Sequence, residues 1–197
     1  MLKYKCMKSE ENKNIGNVMT ISGEEFLRVG EIAKTFFEKV SSAQPPSFVI
    51  LMGGIGSGKT AIRREKFSEG YVNFDSGEIN KAVEDSVGKD NPRLMDYSWL
   101  AMDIILKECI LEKKNIVIEI IGDNYDQITP VIDKMKEIGY EVQVNGIISD
   151  VAESYKRHLL ATKEDKNYIS SYYTQGLTLL SFFNYFGLGK FPNELNS

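Results

Sequence analysis

The chain of 197 residues predicts an α/β fold of three layers, a mainly parallel sheet flanked by helices, on three observations. Apolar runs of strand length alternate with segments of helical periodicity, the order that builds a parallel sheet through crossover helices. The run Asn115-Ile116-Val117-Ile118-Glu119-Ile120-Ile121 is almost continuously apolar, as a strand covered on both faces must be. Between the strand-like Phe48-Val49-Ile50-Leu51-Met52 and a charged helical run lies the glycine-rich turn Gly53-Gly54-Ile55-Gly56-Ser57-Gly58-Lys59-Thr60.

Each element follows in order. Residues 1 to about 20 are polar and aperiodic and are expected to form an arm outside the core. Ser22 and Glu25 have the spacing of a capping box, and Phe26, Val29, Gly30, Ala33, Phe36, Phe37 and Val40 recur at helical spacing, so a helix is predicted over 23 to 41. Ser41-Ser42-Ala43-Gln44-Pro45-Pro46-Ser47 stops it and leads into the first strand. After the glycine-rich turn, residues 59 to 68 read as helix, Gly70 breaks them, and Tyr71 to Phe74 make a short strand ending at Asp75. A short helix is predicted at 77 to 86. Asp90-Asn91-Pro92 then supply the cap and first-turn proline of a long helix at about 92 to 113, with Leu94, Tyr97, Trp99, Ala101, Ile104, Ile105, Cys109 and Leu111 inward. The third strand is the apolar run at 115 to 121. A helix at 125 to 138 closed by Gly139 and a fourth strand at 140 to 148 follow. Ser149 and Asp150 can cap a last helical stretch to 186, interrupted near Glu164-Asp165-Lys166 and closed by Gly187 and Gly189. Its aromatic stripe, Tyr168, Tyr172, Tyr173, Phe182, Phe183, Tyr185 and Phe186, reads as core rather than as a base-stacking surface.

Composition narrows the partners. A net charge of −4 argues against a broadly basic surface for nucleic acid, and 42% hydrophobic with 26% charged residues is ordinary for a globular protein. Cys6 and Cys109 are too few and too scattered for a disulfide framework or a cysteine zinc site, and with one histidine, His158, no His/Cys metal centre can be assembled. Reducing, cytoplasmic surroundings are the expectation. Met1-Leu2-Lys3-Tyr4-Lys5 leads into polar residues rather than an apolar run of signal-peptide length, and no run approaches about 18 apolar residues, so neither secretion nor membrane association is expected.

The turn at 53 to 60 carries the chemistry. Gly-x-x-x-x-Gly-Lys-Thr is the phosphate-binding P-loop, in which glycines let consecutive backbone N–H groups face a phosphate. In it Lys59 reaches the β- and γ-phosphates of ATP and Thr60 holds Mg²⁺, while the following helix adds its positive dipole end. The fold class sharpens to a P-loop kinase fold over residues 47 to 197, preceded by an arm and helix at 1 to 46. Ligands of parallel sheets collect beyond the carboxyl ends of the strands. Asp75 ends the second strand and is placed to orient or deprotonate an acceptor hydroxyl, with a plain helix cap as the alternative. Glu119 interrupts an apolar strand, where an unpartnered buried carboxylate is costly, so it is read as holding Mg²⁺ through water or gripping a substrate hydroxyl, with a salt bridge inside the sheet end as the alternative. Asp123 and Asn124 lie just beyond it and are candidate acceptor contacts, with a plain turn as the equal alternative. Arg157, in Tyr155-Lys156-Arg157-His158, is the candidate lid cation, with Lys163 and Lys166 behind it, because phosphoryl transfer spreads charge on the equatorial oxygens; a solvated helix face is the alternative. Arg63 and Arg64 are expected to face solvent or neighbouring acids.

With these residues in place the chain resembles the zeta toxin family of small-molecule kinases, whose characterised members phosphorylate UDP-N-acetylglucosamine with ATP. The resemblance spans roughly 48 to 186. It rests on Gly-Gly-Ile-Gly-Ser-Gly-Lys-Thr-Ala-Ile-Arg, on Val-Asn-Phe-Asp75 about 15 residues beyond Thr60, on Asn-Ile-Val-Ile-Glu119, on Gly139-Tyr140-Glu141-Val142 and on the Arg157 helix. It implies ATP and Mg²⁺ at Lys59 and Thr60, acceptor contacts near Glu119, a lid cation at Arg157 and an antitoxin protein as partner, with the helix at 23 to 41 as an internal cover for the ATP site. Asp75-Ser76-Gly77-Glu78 stands where the family has acid-x-acid, leaving Asp75 or Glu78 as the base, or none; no second lid arginine follows Arg157; and Glu119-Ile120-Ile121-Gly122 replaces Glu-Gly-Thr. The expected function is transfer of the ATP γ-phosphate to a hydroxyl of a small molecule such as a nucleotide sugar. The alternatives are a nucleotide-binding regulatory module without transfer and a 5′-hydroxyl polynucleotide kinase.

Overall fold

The computed structural model describes residues 2–4, 19–122, 125–164 and 168–189. The elements run β1 (Leu2–Tyr4), β2 (Met19–Ile21), α1 (Gly23–Phe37), β3 (Ser47–Met52), α2 (Lys59–Lys66), β4 (Val72–Asn73), α3 (Ser76–Val87), α4 (Leu94–Leu111), β5 (Ile116–Ile120), α5 (Tyr125–Glu137), β6 (Glu141–Gly146), α6 (Val151–Glu164) and α7 (Tyr168–Phe186). Strands β4, β5, β3 and β6 form one sheet in that order, and every pairing in it is parallel. This is the predicted α/β architecture, with helices on both faces.

Strand alternation divides the core. Phe48 and Ile50 of β3 and Ile116, Ile118 and Ile120 of β5 face one large cluster with α1, α3, α4, α5 and α7. Val49, Leu51 and Val117 face the other way, toward Ile62 and Phe67 at the α2 side. Glu119 shares the face of Val117 and is in register with Leu51, so the period of two delivers its carboxylate to α2. Each fully buried Ile, Leu or Phe contributes about 1.5–3 kcal/mol. The large cluster, with Phe74 and Phe48 both packed on Phe182 of α7, therefore holds most of the fold.

Four sequence expectations change. Residues 2–4 and 19–21 pair as a two-stranded antiparallel ribbon inside the segment expected to be an arm, and Ile21 is fully buried; three-residue strands are too short to show a period. α4 begins at Leu94, two residues after Pro92, because Asn91 Oδ1 accepts from Arg93 N–H and closes a turn first. Leu111 at its end is 65% exposed rather than inward. α1 has the expected capping box, with Ser22 N–H on Glu25 and Glu25 N–H on Ser22. It buries Val29 and Ala33 against α4 on the face opposite α2, where Arg93 and the Tyr97 hydroxyl also bind Glu25. It is part of the core and does not cover the phosphate loop.

Candidate active site

The loop between β3 and α2 is a tight cradle. Gly53 N–H donates to Ile120 O and Ile147 N–H to Met52 O, which fixes the loop against the flanking strands. Gly56 and Gly58 have φ of +68° and +99°, the left-handed region that glycine enters without strain. A Cβ on Gly56 would stand 2.2 Å from Ser154 O of α6, and one on Gly53 2.6 Å from Ser57 Oγ. Ser57 Oγ is buried with no hydrogen-bond partner among the described residues. A backbone cradle that rejects side chains and encloses a spare hydroxyl suits a phosphate. Gly56→Ala should push α6 off the loop and weaken nucleotide binding by about tenfold or more, since a β-carbon meets both a clash and a backbone penalty of about 1–2 kcal/mol; calorimetric titration with ATP measures it.

Lys59 is buried within the loop, its ammonium donating to Gly53 O at 2.6 Å and Gly54 O at 2.9 Å. Burial lowers its proton affinity and the Glu119 charge opposes that effect. Thr60, next along α2, donates its hydroxyl to Glu119 Oε2 at 2.8 Å. Glu119 is 4% exposed, and its other oxygen accepts from Arg63 Nε at 2.5 Å. A hydroxyl beside a carboxylate is the hard-oxygen donor set that suits Mg²⁺.

Arg63 is the residue the sequence reading left without a role. It does face acids, but from inside: it is 8% exposed, and its Nη2 donates to Glu78 Oε1 at 2.7 Å. Burial works to lower the proton affinity of the guanidinium, and Glu119, Glu78 and Asp75 raise it by more. The available signal was spacing. Arg63 stands three and four positions after Thr60 and Lys59, on their helix face, and a strand carboxylate at 119 needed a cation. Arg64 is exposed, as expected.

Asp75 caps α3, Oδ1 accepting from Gly77 N–H at 2.8 Å and Glu78 N–H at 3.1 Å. Burial first, then the Glu78 charge, pushes its carboxyl up to about 6. Both oxygens of Glu78 are taken, one by Arg63 and one by Asn73 Nδ2 at 2.6 Å. The turn is pinned from below by the buried Ser76 and Thr178 hydroxyls, 2.9 Å apart. Arg157 on α6 is exposed; its Nε donates to Glu153 O, and its Nη1 lies 3.8 Å from where a Gly58 Cβ would be, over the loop. Lys163 is in the last turn of α6. The structure thus assembles the loop, Thr60, Glu119, Asp75 and Arg157 at one rim. Asp123, Asn124 and Lys166 lie outside the described residues.

The family model for zeta toxin matches residues 31–170, a span that contains the loop, Asp75, Glu119 and Arg157. The chain belongs to the zeta toxin family. Among solved structures, this zeta toxin family chain is similar to one from the PezAT chromosomal toxin-antitoxin system of the human pathogen Streptococcus pneumoniae. The TM-score is 0.58 at 22% identity, covering 74% of this chain and 65% of that one. The likeness shows a shared P-loop kinase-like fold, and the chain spans just under two thirds of that relative's length. No curated protein matches it. Among the described residues no helix of this zeta toxin family chain is long and apolar enough to cross a membrane.

Proposed function

We propose that the chain is an ATP- and Mg²⁺-dependent kinase that moves the γ-phosphate to a hydroxyl of a small molecule, with a nucleotide sugar such as UDP-N-acetylglucosamine as the leading acceptor class. One observation carries the reading: the phosphate loop, Thr60, Glu119 and the Asp75 turn are joined in a single hydrogen-bonded cluster at the carboxyl ends of the strands. Lys59 supplies positive charge inside the loop, and Thr60 with Glu119 presents oxygen donors to the metal. Mg²⁺ bound with the nucleotide would neutralise charge on the phosphates. Asp75, rather than the doubly engaged Glu78, is the base that takes the acceptor proton, and Arg157 covers the transferring group. The acids on the acceptor side favour a compact acceptor over a polynucleotide 5′ end.

The test is mass spectrometry of products formed from ATP, Mg²⁺ and a panel of UDP-N-acetylglucosamine, nucleosides, simple sugars and 5′-hydroxyl oligonucleotides. An acceptor gaining one phosphate is expected. ATP binding with no phosphorylated acceptor would instead favour a regulatory nucleotide-binding module. Kinship with a toxin-antitoxin protein also supports an antitoxin as partner; co-purification with a co-expressed neighbouring gene product checks this, and separate elution counts against it.

The pH dependence follows from Asp75. A base with a pKa of about 6 is mostly protonated at pH 5 and free above 7, so the rate should rise through pH 6. Asp75→Asn should lose that limb and about 10²–10⁴ in kcat. Asparagine still caps a helix. Because the native carboxyl titrates above its unfolded value of about 3.9, its ionisation costs stability, a cost that builds as pH rises from about 4 and is complete above about 6. The Tm of Asp75→Asn relative to the parent should therefore climb between pH 4 and pH 7; a flat difference would show that Asp75 is not the shifted group.

A further inference from the structure

We propose that Arg63 is a positioning residue: its guanidinium, held between two carboxylates, fixes Glu119 against Thr60 and ties the phosphate-loop side of the site to the turn that carries Asp75. The inference rests on the metal-binding part of the proposed function and adds the residue that sets its geometry.

The contacts form an unbroken path. Thr60 Oγ1 donates to Glu119 Oε2, and Glu119 Oε1 accepts from Arg63 Nε. Arg63 Nη2 donates to Glu78 Oε1, and the Glu78 backbone N–H donates to Asp75 Oδ1. Asn73, two residues before Asp75, holds the remaining Glu78 oxygen. A guanidinium presents separated, rigidly planar donors that hold two carboxylates in two fixed directions, whereas a lysine ammonium offers its donors from a single rotatable point. Arg63 also answers a burial problem, since Glu119 inside the sheet face needs a counter-charge. A residue serving burial alone would need only Glu119. The second arm reaches Glu78, whose side chain is 47% exposed and could be solvated without any partner. That arm joins the two halves of the site.

The consequence falls on the metal. With its hydrogen committed to Glu119, the Thr60 hydroxyl keeps its lone pairs for a cation, and the carboxylate orientation sets where they point. Loss of such an outer contact costs metal affinity about 10- to 100-fold. Lys59 and the loop amides bind phosphate without that contact.

The experiment measures the affinity of a fluorescent ATP analogue with and without Mg²⁺ in the parent, Arg63→Gln and Arg63→Lys, with fold checked by circular dichroism and Tm. In Arg63→Gln the Mg²⁺-free affinity should stay within about twofold of the parent while the gain from Mg²⁺ falls about tenfold. Arg63→Lys, keeping the charge and one contact, should recover part of the gain and still lose about threefold. If Arg63→Gln does not fold, Arg63→Lys decides the matter. A parent-like gain in a folded variant, an equal fall with and without Mg²⁺, or no Mg²⁺-dependent gain in the parent overturns the inference. If the gain depends on Arg63 but no acceptor is phosphorylated, the positioning role stands and the transfer reading falls. If an acceptor is phosphorylated and the gain ignores Arg63, the reverse holds.

Discussion

Lys59→Ala is expected to lower phosphoryl transfer by about 10³-fold or more while leaving the protein folded. The ammonium lies inside the curve of its own loop, bonded to Gly53 O and Gly54 O, so its position is set before a nucleotide arrives. Preorganised charge of this kind acts where negative charge is transferred and costs no rearrangement at that moment. The structural cost of removing it is small. Burial disfavours the charged lysine, so alanine gives up two hydrogen bonds and also relieves a desolvation penalty. The Tm should shift by only a few degrees. Steady-state transfer assays with the acceptor from the product screen measure the rate, and a variant turning over near the parent rate would exclude the P-loop mechanism.

The parts of this site differ in how far local sequence reveals them. The loop is legible because its geometry demands glycine at positions of positive φ, and no other residue substitutes there cheaply. Asp75 is legible because the end of a strand and the start of a helix meet on it, and the structure shows it capping α3. Glu119 stood out as one charge in an apolar strand, but its partners come from α2, more than fifty residues earlier. Arg63 was legible only in part, since spacing puts it on the helix face of Lys59 and Thr60 without showing that it is buried. Among the charged residues of α2 its burial is decided by the register of β3 against β5, which puts Glu119 opposite Leu51 on the α2 face. The ribbon of β1 and β2 and the docking of α1 are likewise non-local. The capping box predicted that α1 exists, but Val29 and Ala33 find their partners on α4.

Glu119→Leu is expected to be the most destabilising single substitution at the site. It leaves Arg63 buried with the half-exposed Glu78 as its remaining ion-pair partner and Asp75 acting at longer range, and breaking a buried pair from one side costs about 3–5 kcal/mol. For a chain of this size that is a fall of roughly 6–20 °C in Tm. The same physics predicts rescue. Replacing both members of a buried ion pair with apolar groups of similar volume is often neutral, so Arg63→Met combined with Glu119→Leu should return most of the lost stability; Glu78, freed of Arg63, can be solvated. Function should not return with it. The double variant has no carboxylate to receive the Thr60 hydroxyl, so Mg²⁺ with ATP should raise its Tm no more than ATP alone, whereas the parent gains additional stabilisation by mass action. Thermal melts of the parent, both single variants and the double variant, each with ATP and with ATP plus Mg²⁺, separate the two roles. A double variant that recovers both stability and the Mg²⁺ response would show that the buried pair serves the fold alone.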